Sequence, residues 1–195
     1  MPKLVDHEER RLAITAAVWR LIARRGLDSV NMRDIASEAG YANGSLSHYF
    51  KGKDDILRFA YEHVYDATER RIAAALGEAT GLDALRIFCR EVLPTTQETL
   101  LEARIAISLW QRAIYDEHLG AMNERMLADW RDRLIEFLEQ AVDARDIAPV
   151  DTPLVADQIL TLLAGAQIVG VLLPQVAAGE RQMEMLEALL ASIQR

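Results

Sequence analysis

From Ile14 onward the apolar residues of this chain recur at helical spacing, and no run of alternating polar and apolar residues persists long enough to make a strand. Ile14, Ala17, Val18, Leu21 and Ile22 fit the i, i+3, i+4, i+7, i+8 pattern of one helix face, and Gly26 supplies a stop. Met32, Ile35, Ala36 and Ala39 form a second, short apolar face, opened by Asn31 as a cap and closed by Gly40. A third short helix is predicted from about Asn43 to Phe50. Lys51-Gly52-Lys53 interrupts the chain, and Asp54-Asp55 opens a long helix carrying Ile56, Leu57, Ala60, Val64 and Ala67. Longer helices follow: Leu82–Leu93 before Pro94, Glu98–Tyr115, roughly Leu119–Ala144, one opened by Asp151-Thr152-Pro153, and a last one after Gly179 with Met183, Leu186, Leu190 and Ile193 inward. The prediction is an all-α protein of about nine helices.

Charge divides the chain. The net charge is −8, which argues against a nucleic-acid partner, yet residues 1–53 sum to +3 and residues 54–195 to −11. A basic head on an acidic body suits a molecule that meets phosphates at one end. The single cysteine, Cys89, allows neither an internal disulfide nor a cysteine-based zinc site. No signal peptide is visible behind the charged N-terminus, so a cytoplasmic location is expected. Gln158–Gly179 carries no charged residue and is long enough to cross a bilayer. Its glutamines, its Thr161, its late Pro174 and its standing alone read better as a buried helix, and no membrane partner is expected.

The informative segment is Asn31–Phe50. Two short helices joined by a three-residue turn that a glycine opens make a helix-turn-helix, because glycine reaches positive φ cheaply. Packing Ile35, Ala36, Ala39, Leu46 and Phe50 on the first helix leaves Asn43, Gly44, Ser45, Ser47 and His48 on the outer side of the second. They are short and polar, so the backbone can sit deep in a major groove and hydrogen-bond base edges. Asn31, Arg33, Ile35, Ala36, Ala39, Gly40, Gly44, His48-Tyr49-Phe50, Lys53 and Leu57 together resemble the DNA-binding hallmark of the TetR (tetracycline-repressor) family, over residues 10–57. The Trp110 helix and the Gly165…Leu172-Leu173-Pro174 stretch are similar to the ligand domain of its choline/betaine-regulator-like subgroup.

That resemblance implies roles. Tyr49 and Lys53 match the phosphate-contacting pair, His48 lies where backbone or base contacts occur, and Asn43, Gly44, Ser45 and Ser47 fall on the recognition helix. Arg33 and Asn31 begin the supporting helix near the DNA backbone. Taken singly, Tyr49 also reads as core and Lys53 as a solvated charge. The chain departs from the family pattern at Asn31 for threonine, Ala42 for a capping serine and Ser47 for an aromatic. Ala42 leaves two readings open: Asn43 takes the cap, or the recognition helix is weakly anchored.

The expected organisation is therefore a helix-turn-helix domain over 1–53 and a helical effector-binding and dimerisation domain over 54–195. The implied activity is a transcriptional regulator, a repressor released from a palindromic double-stranded DNA operator by a small-molecule effector. A cavity is implied among the fifth to eighth helices and bordered by the fourth. Its candidate lining is Tyr61, Tyr65, Phe88, Cys89, Trp110, Gln111, Tyr115, Met126 and Gln167, each of which also suits ordinary core packing. A homodimer is expected through the last two helices, where Ala164-Gly165-Ala166 and Gly170 keep one helix slim and Val169, Leu173, Leu186 and Leu190 offer apolar area. Two rivals come from other classes, a helical enzyme and a structural adaptor. A di-iron bundle needs Glu-x-x-His pairs, and the residues three before the four histidines are Leu4, Ser45, Ala60 and Tyr115. No phosphate-binding glycine loop is present either, so no cofactor, metal site or catalytic residue is expected.

Overall fold

The computed structural model describes residues 2–25, 31–173, 175 and 179–193. Among them all regular structure is helical: α1 (Pro2–Arg25), α2 (Met32–Ala39), a 3-10 helix (Asn43–His48), α3 (Lys53–Leu76), α4 (Gly81–Val92), α5 (Gln97–Ala113), α6 (Glu117–Asp143), α7 (Thr152–Leu172) and α8 (Gly179–Ile193). The expected stops at Gly26 and Pro174 lie outside the described residues.

Local chemistry explains where these helices begin. The Asn31 side chain accepts the backbone N–H groups of Arg33 and Asp34 at 2.9 and 3.0 Å, and Asp34 accepts the N–H of Asn31 in return. Thr96 and Thr99 make the same reciprocal pair at the start of α5, Asp116 caps α6, and Asp151 caps α7 through the Leu154 N–H. Gly40 closes α2 with φ at 76°, and the neighbouring Tyr41 N–H returns to the Ala36 carbonyl.

Two buried clusters hold the molecule. The first gathers Ile14, Val18 and Leu21 of α1, Ile35 and Ala36 of α2, Leu46 and Phe50, then Ile56, Leu57, Ala60, Tyr61 and Val64 of α3. Ile105 and Leu109 of α5 and Leu119 and Met122 of α6 complete it. The second joins Ile72 of α3 to α4, the later part of α6, α7 and α8. Each fully buried Leu, Ile or Phe contributes about 1.5–3 kcal/mol relative to exposure. Because α3 and α6 pass through both clusters and α5 of the body packs into the first, the N-terminal head is not a separate globule. Its core is completed by the body.

The recognition segment is a 3-10 helix rather than the α-helix of the sequence pattern. Ala42 stands at its cap position and makes no side-chain cap bond, and the side chain of Asn43, the other expected cap, lies outside the described residues. Helix α7 is long and apolar enough to span a bilayer by length and composition. In the bundle Val155, Ala156, Ile159 and Leu163 are buried against the second cluster. Leu154, Ile168 and Leu172 face outward.

The expected seam through α7 and α8 is corrected in its details. Gly170 is buried, and a Cβ there would meet Pro94, Leu100 and Gln182 of the same chain. Leu186 and Leu190 are fully buried in the second cluster. Their side chains are consumed by the protomer's own core, because α8 must cover the apolar side of α4 and α7 before any partner can.

Candidate functional site

The head presents a polar edge built on α1 and α2. Glu38 of α2 accepts from Arg20 at 2.8 Å and Arg24 at 2.5 Å, both on α1, and these two guanidinium groups hold its carboxyl below the usual carboxylate range. Asp34 lies 3.9 Å from Arg25. These pairs fix the angle of α2 on α1, and with it the entry to the recognition segment. Asn31, Arg33, Gly44 and His48 are exposed along this edge, and Tyr49 is half-buried. The expected contact residues Asn43, Ser45, Ser47 and Lys53 fall on the helical backbone, but their side chains lie outside the described residues.

Behind that edge, Phe50 is buried and meets Phe59 edge to face, with ring centres 5.7 Å apart. The Arg11 guanidinium lies 4.1 Å from the Phe59 ring centre and 5.2 Å from that of Phe50. One residue earlier, Arg10 Nη1 donates to the Tyr49 hydroxyl at 2.9 Å. Arg10 therefore stands beside a residue assigned to phosphate contact. It was missed in sequence because 39 positions separate the two, and no local spacing brings them together. Asp55 is pushed up by burial and pulled down further by Arg58 and by the Lys51 N–H it accepts, which pins the turn before α3.

The body holds a partly open cavity of about 60 Å³. Helical spacing aligns its wall. Tyr61, Val64, Tyr65 and Thr68 lie on one face of α3; Thr99, Glu102, Ala106 and Trp110 on one face of α5. Leu127 and Trp130 of α6 and Leu160, Leu163, Ala164 and Gln167 of α7 close the far side, with Val92 of α4 at the end. The cavity thus lies among α4 to α7 and against α3.

Four candidate residues, Tyr61, Tyr65, Trp110 and Gln167, lie on this wall. The others do not. Phe88 is fully buried one layer behind, edge-on to Trp130 at 5.7 Å. Cys89 is fully buried beside it, and burial pushes its thiol pKa far up. Gln111 and Tyr115 face an outer surface depression, with Tyr115 88 % exposed, because α5 ends at Ala113 and the chain turns away. Met126 packs on the first cluster. Thr68, Glu102 and Trp130 were missed. Thr68 continues the Tyr61–Tyr65 spacing, and Glu102 lies eight residues before Trp110, so the periodicity itself held the signal.

The charged group on the wall is Glu102, whose side chain is 7 % exposed. Burial raises its pKa, and the Arg71 guanidinium, which donates to both carboxylate oxygens at 2.8 Å, partly offsets that. Arg71 is shared further, with Nε 3.6 Å from Glu91 and Nη2 donating to Thr68 at 3.2 Å. Aromatic rings form the remaining panels. Tyr65 and Trp130 stack with centres 5.8 Å apart, the Trp130 N–H donates to Glu69, and Tyr65 has its phenol pushed up to about 12, chiefly by burial. Gln167 is buried and donates to the Val92 carbonyl at 2.7 Å, which ties α7 to the end of α4.

Comparison with known proteins adds to this geometry. Residues 14–60 match the family described as bacterial regulatory proteins, tetR family, and residues 81–195 match the BetI-type transcriptional repressor C-terminal family. The chain is 30 % identical over 176 residues to the HTH-type transcriptional regulator PksA of Bacillus subtilis, covering 89 % of this chain and 84 % of that protein. It is 32 % identical over 138 residues to BetI of Burkholderia mallei, covering 65 % and 68 %. A putative transcriptional regulator of Saccharomonospora viridis, solved in complex with choline, has the same fold with a TM-score of 0.90 at 22 % identity, over 96 % of this chain and all of that one.

Proposed function

This chain belongs to the TetR family of bacterial regulatory proteins, and from that premise we propose how its DNA-binding regulation works: the head over 1–53 reads an operator, and a small organic cation in the body cavity releases it. The carrying observation for the effector is the cavity wall. Tyr61, Tyr65, Trp110 and Trp130 line it, and Glu102 is its charged residue. A cation gains from aromatic faces and from the carboxylate, whereas an anion meets no lysine or arginine on that wall. The region around Arg71 is also short of positive charge, with Glu91, Glu98 and Glu102 acting on one guanidinium. The choline complex of the Saccharomonospora protein supports the same class.

For DNA, Tyr49 and Lys53 supply phosphate contacts with Asn31 and Arg33 nearby. Asn43, Gly44, Ser45, Ser47 and His48 meet base edges. Reading a palindrome requires two copies. The outward face of α7, with Thr161, Gly165, Ile168 and Leu172 at helical spacing, together with Leu173 and with Met185 of α8, is the apolar surface we assign to the homodimer. Such a dimer works in the cytoplasm, where its operator is.

The test starts from duplexes that the purified protein retains from a random pool, measured across a salt series. Lys53→Ala should weaken retained and random duplexes alike and reduce the salt slope by about one per lost contact. Ser47→Ala should keep the slope and relax preference at one base pair per half-site. Choline chloride should release the retained duplex, and Ile168→Arg should yield a monomer in sedimentation. A protein that retains no duplex, or that choline and other quaternary ammonium ions leave on its DNA, contradicts the corresponding half of the reading.

A further inference from the structure

Consecutive residues of α1 meet consecutive residues at the exit of the recognition segment. Arg11 lies over the Phe50 and Phe59 rings. Arg10, about 100° away around the helix, is exposed and donates from Nη1 to the Tyr49 hydroxyl at 2.9 Å. Both ends of that bond are placed by packing. Ile14, one turn on from Arg10, is fully buried in the head's core and fixes how α1 lies. On the other side, the Tyr49 and Phe50 N–H groups both donate to the carbonyl of Leu46 at 2.9 Å, and the Leu46 side chain is fully buried in the same core.

A guanidinium carries donors and no acceptor, so in this bond the phenol oxygen accepts and its own hydrogen points away from Arg10. The pair therefore sets a phenol O–H beside the N–H fork of a planar cation on the polar edge of the head. Those donors match a phosphodiester, whose non-bridging oxygens share a negative charge and accept bonds in parallel. The recognition segment and its supporting helix do not bring that cation themselves. From Asp34 to Phe50 the chain has no lysine or arginine, while Asp34 and Glu38 add negative charge. Elsewhere on α1, Arg20 and Arg24 are engaged by Glu38. Arg10 also precedes residues 14–60, the stretch that matches the family's DNA-binding model, so that match assigns it no role.

We propose that Arg10 is a DNA-contacting residue, joining the Tyr49 hydroxyl in a two-donor clamp on a single backbone phosphate where the recognition segment ends. The clamp presupposes the reading of the head as an operator reader with Tyr49 at a phosphate. Its two members do different work. Arg10 brings the charge that displaces a counterion, and it orients Tyr49; Tyr49 adds one directed, uncharged bond. Neither reads a base, so the clamp strengthens binding to every sequence and fixes the register in which the recognition segment enters the groove.

The test uses the full-length protein, a duplex that the wild type selects from a random pool, and unselected duplexes, each across a salt series. Arg10→Gln should weaken both kinds of duplex by about 5- to 10-fold near 0.1 M salt and flatten the log–log salt dependence by about one per subunit. Tyr49→Phe should weaken both by about 3- to 10-fold and keep the slope, because the hydroxyl carries no charge. Arg10→Lys should keep the slope and recover only part of the affinity, since an ammonium lacks the fork. The double variant of Arg10→Gln with Tyr49→Phe should lose less than the product of the single losses, because both donors hold one phosphate. Replacing each phosphate of the selected duplex in turn by methylphosphonate should reveal one position per half-site at which both single variants bind as well as the wild type. An Arg10→Gln protein that loses affinity with an unchanged salt slope has only a structural role at Arg10, which overturns the clamp, as do multiplicative losses or two different phosphates for the two residues. If Lys53→Ala flattens the slope and Arg10→Gln does not, the operator reading stands and the clamp alone fails. A wild type that retains no duplex removes both.

Discussion

Gly170 of α7 faces Pro94, the residue after the turn that ends α4, so closely that a Cβ at Gly170 would meet the proline Cγ at 3.0 Å. Leu100 Cδ2 at 3.4 Å and Gln182 Nε2 at 3.5 Å close the other sides of the same point. Four segments therefore meet where this glycine has no side chain, beside the Gln167–Val92 bond that ties the same two helices.

A first prediction contrasts two glycines of α7. Gly170→Leu must displace a proline ring and a leucine, and should destabilise the fold by about 1–3 kcal/mol. Gly165 has nothing within 4 Å of an added Cβ, so Gly165→Ala should be neutral or gain up to about 1 kcal/mol of helix propensity. Urea unfolding of the two variants measures both. Equal losses would show that Gly165 is as enclosed as Gly170, which a close subunit contact would cause.

Arg71→Ala should be among the more damaging polar substitutions. It leaves Glu102 buried without its bidentate partner, at a cost of about 3 kcal/mol at neutral pH. The loss should shrink with acidification. Burial already raises the Glu102 pKa, and removing the guanidinium raises it further, so protonation relieves the penalty at a higher pH than in the wild type. Stability curves at several pH values check this; a loss independent of pH would show that packing, not charge, dominates at Arg71.

Acid should weaken the joint between α1 and α2. The folded pKa of Glu38 lies below its ordinary 4.5, so its pairing with Arg20 and Arg24 contributes in full above that value. The contribution is lost as pH falls from about 4.5 through the lower folded value, because the unfolded chain binds the proton first. Glu38→Gln should therefore lower stability by a constant amount at neutral and basic pH and flatten the acid limb, so that variant and wild type converge in acid. An unchanged acid limb in that variant would assign it to other carboxylates.

Asn31→Ala removes the oxygen that accepts two N–H groups at the start of α2, and should cost about 1 kcal/mol. The loss should concentrate in the head, as faster amide exchange over residues 32–39, with α4 and α8 unaffected. Asn31→Asp should preserve the cap, because a carboxylate accepts the same bonds and suits the positive end of the helix.

The helical character of the whole chain, the boundaries of most helices to within two or three residues, and the helix-turn-helix were legible in the sequence. The physical reason is locality. A helix face repeats every three to four residues, Asn31 caps the residues just after it, and Gly40 ends α2 through its own φ. Tyr61 and Tyr65, four apart on α3, could be placed on one face together for the same reason.

What the tertiary structure decided lies between elements. Whether Cys89 and Phe88 stand on the cavity wall or behind it depends on how α4 turns against Trp130, and no spacing within α4 sets that rotation. Gly170 looked like a slot for a second copy, yet the slot is filled by Pro94 and Gln182 of the same chain, and only the docking of α4 and α8 shows it. The Arg10–Tyr49, Arg71–Glu102, Tyr61–Asn123 and Arg112–Asp54 pairs join positions 31 to 62 residues apart. A side chain's partner across such a distance is chosen by packing, since many arginines could serve each carboxylate and only the fold brings one of them within reach.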